Sequence, residues 1–158
     1  MDTRPQLYRV KIGDVSVAIH GVPMVEVVDA PSASARWTIR GDHASEFQRH
    51  VALALIHAGV HDADSFRRVR QALGLKGFRA AELLDVRPET VSAWENGKTP
   101  VDRKAYAVLS AMLRERMGDP QTTEEHLEKM AAPALAAVEL DWKTAAERQQ
   151  AVAWRQAG

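Results

Sequence analysis

A chain of 158 residues can bury one hydrophobic core of ordinary size. Its residues are 46% hydrophobic and 27% charged, its net charge is zero, and it has no cysteine. That composition excludes a disordered polar chain, a disulfide scaffold and any thiolate metal site.

Residues 7 to 12, LYRVKI, and 15 to 19, VSVAI, flank Gly13-Asp14 and predict a β-hairpin with a two-residue turn. VPMVEVV (22 to 28) and ARWTI (35 to 39) are candidate further strands, the second following the loop signal DAPSAS. In HASEFQRHVALALIHAG, Phe47, Val51, Ala54, Leu55 and Ala58 recur at helical spacing, and Gly59 suits the helix end. From Asp62 onward the period is helical. A helix starting near Asp64 or Ser65, either of which can cap it, runs to about Leu73, and Gly74 stops it. A shorter one covers roughly Phe78 to Leu84, and a third runs from Pro88, placed where its missing N–H costs nothing, to Glu95. Asp102 caps a longer helix to about Met117, with Tyr106, Leu109, Met112 and Leu113 facing inward. Beyond Gly118-Asp119-Pro120 the chain is Ala-rich and helix-prone, interrupted by Pro133. The fold class expected is α+β: a β-hairpin-rich domain over 1–60, an all-α helix-turn-helix domain over 61–118 and a helical C-terminal extension over 119–158.

Charge is segregated although the total is zero. Residues 65 to 104 hold nine basic and five acidic side chains, whereas 118 to 158 hold four and seven. A local basic stripe is what phosphate binding requires. Within that stripe lies RPETVSAWENGK, residues 87 to 98. Val91 and Trp94, three apart, face the core. Gly97 provides a left-handed stop at no Cβ penalty. Glu95, beside a buried tryptophan, needs a partner, and Arg70 on the first helix of the domain is the natural candidate. A short helix, a tight turn and a second short helix predict a helix-turn-helix, of which only the first two turns need enter a major groove.

The segment RRVRQALGLKGFRAAELLDVRPETVSAWENGKTPVDRKAYAVLSAML resembles the Cro/C1-type (XRE) helix-turn-helix along its whole length. The similarity is carried by Leu73, Leu75, Ala81, Leu84, Val86, Val91, Trp94, Glu95, Asn96 and Gly97. It implies five helices around one core and an Arg70–Glu95 pair tying the first helix to the third. Three departures stand out: Lys76-Gly77 replaces the family's Thr-Gln, Asp85 sits where glycine is usual, and Ala93 occupies a position often held by a base-reading Arg or Gln. With the upstream hairpin, Gly77 makes the chain similar to MqsA-like antitoxins bearing a YgiT-type N-terminal domain. Those relatives carry a Cys-x-x-Cys where this chain has Glu26 and Asp29, so the zinc site is lost.

The resulting expectation is a sequence-specific, dimeric DNA-binding regulator that represses its own operon. Arg87, Pro88, Glu89, Thr90, Ser92 and Ala93 would face bases, and Lys76, Asn96, Lys98 and Arg103, with Lys104 beside them, would hold phosphates. A two-fold dimer would address a palindromic operator. The alternative is an antitoxin that neutralises a partner toxin through its N-terminal or C-terminal segment. Catalysis, cofactors and metals are not expected: no nucleophile–base order or phosphate loop stands out, and His50, His57 and His61 lack a completing carboxylate. The segment MDTRPQLYRVKIGD lacks the apolar core of a signal peptide, and no apolar run approaches roughly 18 residues. A cytoplasmic location is therefore expected, with no membrane partner.

Overall fold

A computed structural model describes residues 3–33 and 36–150. Strand β1 (Arg4–Ile12) and strand β2 (Val15–Glu26) form the expected hairpin, with Ile12 opposite Val15. Gly13 takes the positive φ of 58° that the tight connection needs. VPMVE is not a separate strand. It continues β2 past an irregularity at Gly21, where the register slips between Gln6 and Tyr8 of β1. That bulge keeps the apolar side chains on one face, so Val15, Val17 and Ile19 before it and Val22 and Met24 after it are all buried. A short strand β3 (Trp37–Ile39) pairs antiparallel with the far end of β2.

One helix, α1 (Ala44–Ala58), joins the sheet to everything that follows. Residues 51 to 56, VALALI, are all buried because the helix is covered on two sides. Val51, Ala54, Leu55 and Ala58 pack on the sheet with Val17, Ile19 and Val22. Ala52, Leu53 and Ile56 face a second core with Phe66, Tyr106, Leu109 and Leu113. Leu53, Leu55 and Ile56 are each at most 1% exposed, and each such burial contributes roughly 1.5–3 kcal/mol.

The second core is enclosed by α2 (Ala63–Ala72), α3 (Gly77–Leu84), α4 (Pro88–Glu95), α5 (Arg103–Met117) and α6 (Thr123–Ala131). The helix ends follow local chemistry. Asp62, rather than Asp64 or Ser65, caps α2, because its Oδ1 accepts the Ser65 N–H at 2.8 Å. Asp102 caps α5 through the Lys104 N–H, also at 2.8 Å. Asp85 closes α3 in the left-handed region at φ 53°, which Asp tolerates better than most residues. Gly59 ends α1 at φ 79°, and a Cβ there would lie 2.6 Å from the Lys129 carbonyl oxygen of α6.

The expected helical C-terminal extension is corrected by the structure. After α6 the chain forms strand β4 (Ala137–Asp141), which pairs in parallel with β2, Val17 opposite Val138 and Ile19 opposite Leu140. Residues 145–150 are helical again, while 151–158, also assigned to that extension, lie outside the described residues. The reason is geometric: the first half of β2 has β1 on one edge only, and β4 fills the other. The architecture is therefore α+β, a four-stranded sheet on one side of α1 and a helical layer on the other. No helix among the described residues is long and apolar enough to cross a membrane.

Candidate nucleic-acid interface

Helices α3 and α4 are eight residues each, joined by residues 85 to 87. Alone, helices this short are marginal, and both depend on their neighbours. Ala80 and Ala81 bury the inner side of α3, and Val91 and Trp94 that of α4. Trp94 meets the Phe66 ring edge-on at a centroid distance of 5.5 Å.

Polar ties then fix α4 against α2. Arg70 grips Glu95 with two nitrogens, Nε to Oε1 at 2.5 Å and Nη2 to Oε2 at 3.2 Å, while its Nη1 donates to the Leu75 carbonyl at 2.8 Å. Both side chains are largely shielded, at 14% and 12% exposure, so the pair is a bidentate bond in reduced dielectric rather than a surface contact. Arg67, one turn earlier, donates to the Glu95 backbone carbonyl at 2.7 Å. Sequence reasoning passed over Arg67. Its spacing of three from Arg70, on the same side of α2, was the available signal.

What remains outward on α4 is polar. Arg87, Pro88, Glu89 and Ser92 are exposed, and Thr90 and Ala93 are half-buried. Glu89 occupies the first turn, where a carboxylate also suits the helix dipole. Asn96 donates from Nδ2 to Ser92 Oγ at 3.1 Å, which leaves the serine proton and the Asn96 carbonyl free to point outward. Gly97 turns the chain at φ 70°, and the Lys98 N–H closes back on the Ala93 carbonyl at 2.9 Å. Lys76 at the start of α3, Lys98 after α4 and Lys104 on α5 are exposed, and none makes an ion pair with a described residue. Arg103 differs from them. Its guanidinium donates to the Leu127 carbonyl of α6, so part of its donor capacity serves the fold. Phe78 stands 58% exposed beside Lys76 at the start of α3.

A second polar cluster lies far from α4 in sequence and is buried. His57 of α1 reaches both oxygens of Asp119 at 3.0 Å, and Arg148 approaches the same carboxylate at 3.8 Å. Burial pushes the Asp119 carboxyl up, but the His57 contact, the Gln121 N–H and Arg148 bring it below the usual range. Arg114, 4% exposed, donates to the Gln121 carbonyl and to Thr123 Oγ1. His126 is fully buried with no hydrogen-bond partner among the described residues on either nitrogen. Desolvation, reinforced by Arg114, drives it down to about 4, so its ring is neutral near pH 7. His50 is buried against Trp142, stacked at 4.3 Å, and its Nδ1 lies 2.8 Å from the Glu46 carbonyl. Among the described residues no three His, Asp or Glu side chains gather as a metal site.

Comparison of the chain with protein-family models, curated proteins and solved structures finds no match.

Proposed function

We propose that this protein is a sequence-specific DNA-binding regulator of the Cro/C1 type, acting as a dimeric autorepressor. The observation that carries the reading is the outward surface of α3–α4. A short, rigidly held helix offers exposed hydrogen-bonding groups at Glu89, Ser92 and Asn96, and it is bracketed by the uncommitted cations Lys76 and Lys98. Arg87, Pro88 and Glu89 would enter the groove first, with Thr90, Ser92 and Ala93 along the same turns. Ala93 offers only a methyl, suited to a thymine. Lys76 and Lys98, helped by Asn96, would meet phosphates, with Arg103 a lesser contact because α6 already engages it.

Footprinting the purified protein on the DNA upstream of its own coding sequence tests this. The expected result is protection of a two-fold symmetric site, with affinity falling steeply as salt rises. Weak binding with no preferred site would refute it.

A second reading, an antitoxin that binds a basic partner, draws on one feature: Glu124, Glu125 and Glu128 stand exposed on α6, within a C-terminal stretch of seven acidic and four basic residues. Co-purification of a stoichiometric partner encoded next to it would favour this role, which is compatible with DNA binding.

A further inference from the structure

The sheet has one face against α1 and one that no described element covers. Register defines that outer face row by row. Lys11, Ser16 and Ala137 lie side by side on β1, β2 and β4; Arg9, Ala18 and Glu139 form the next row. His20 and Asp141 are adjacent in the third. Across the first two rows the strands read basic, small, then small or acidic. The rows frame a shallow depression of about 370 Å³ whose floor includes Ser16, Ala18 and Ala137. Arg9 and Lys11 form no ion pair with a described residue, and Glu139 is 73% exposed despite a 3.7 Å approach to His20.

We propose that this outer face packs against the same face of a second copy of the chain. Charge complementarity selects that occupant. A two-fold axis running along the strands places β1 of one copy over β4 of the other, because such a rotation exchanges the two flanks of the sheet. Arg9 then stands over the second copy's acidic strand, level with Glu139, and the reciprocal contact forms by symmetry. Ala18 meets its own equivalent on the axis, and small side chains there let two sheets approach to the usual ~10 Å. Pairing through the open edge of β1 is disfavoured, because it would bring together two strands that each carry Arg4, Arg9 and Lys11. The inference rests on the proposed dimer only in naming its face. α1 separates the sheet from the helical layer in each copy, so the contact leaves both α4 surfaces free.

The test is sedimentation of the full chain without DNA, up to about 100 μM, for wild type, Arg9→Glu, Glu139→Arg and the double exchange. Wild type is expected to dimerise. Each single reversal sets like charges in apposition twice per dimer, and should raise the dissociation constant on the order of a hundredfold. The double exchange should restore it. Circular dichroism confirms folding; should Arg9→Glu fail to fold, Lys11→Glu in the neighbouring row serves instead. A monomeric wild type would leave this face to some other partner and overturn the proposal. So would single reversals that leave dimerisation unchanged, or a double exchange that does not recover. Failure of DNA binding in a dimer that behaves as described would overturn the regulatory reading alone.

Discussion

The α3–α4 surface and the C-terminal return, residues 119–148, are both rich in charge, yet they use it in opposite ways. On α3–α4 Arg79 and Glu82 bond each other, but Lys76, Glu89 and Lys98 are exposed and form no ion pair with a described residue. In the return a few charges point inward, although Glu124, Glu125, Glu128 and Glu139 stay exposed. Asp119 at 3% exposure holds His57 and Arg148 together, and Arg114 is spent on backbone oxygen. Exposed charge keeps its hydration and can exchange it for a phosphate. Buried charge has lost hydration and must stay paired where it is. The difference separates a surface available to a partner from a clasp that holds the chain's end.

The comparison breaks most visibly at the ties beneath α4. Trp94→Ala leaves a cavity, and Glu95→Ala strands the Arg70 guanidinium. Each should cost about 3–5 kcal/mol in denaturant unfolding. Midpoints near wild type would mean that α4 is not held from below as described.

The clasp should respond to acid. His126 has a folded-state value of about 4 against an ordinary 6.5, so below pH 6.5 the unfolded chain takes up a proton that the fold refuses. Its contribution is complete above about 6.5 and is lost as pH falls toward 4, on the order of 2–3 kcal/mol across that window. Asp119, held below its ordinary value, adds a loss at still lower pH. Urea titrations of wild type and His126→Leu from pH 7 to 4 check the sign. Parallel stability profiles would exclude His126 as the source.

The helical segments and the ties beneath α4 were legible in the sequence for a local reason. Val91 and Trp94 lie within one turn, Gly97 and Asp102 mark ends by their own backbone chemistry, and the burial of Glu95 beside Trp94 demanded a partner, which Arg70 supplies. β4 was not legible in the same way. Ala137, Glu139 and Leu140 are good helix formers, and the alternation of Val138 and Leu140 against Glu139 and Asp141 spans only five residues. What makes it a strand is the vacant edge of β2, which no local window contains. His57, likewise, has His50 and His61 as its neighbours in sequence, whereas its partner Asp119 lies 62 residues away.

At the DNA the effects should be smaller and of two kinds. Glu89→Ala should lower discrimination at one base pair by about 1–3 kcal/mol while affinity for random duplex holds or rises, since a carboxylate repelling phosphate is gone. Equal loss on operator and random DNA would mean that Glu89 does not read a base. Lys98→Ala should weaken both DNAs alike and flatten the log-affinity against log-salt slope by about one unit. A changed base preference with an unchanged slope would place Lys98 in the groove instead.

The parallel pairing of β4 with β2 also sets a timetable for synthesis. The edge of β2 that β4 fills belongs to the first 20 residues of the chain, and its partner is 137–141. At roughly 5–20 residues per second on the ribosome, that edge waits on the order of 6 to 24 seconds for its partner. The helical layer can gather meanwhile, because α2 to α5 contact one another within a short stretch of chain. Nascent protein is therefore most exposed to strand-mediated aggregation before residues 137–141 emerge, and slowed translation of the codons between α5 and β4 should lower the soluble yield.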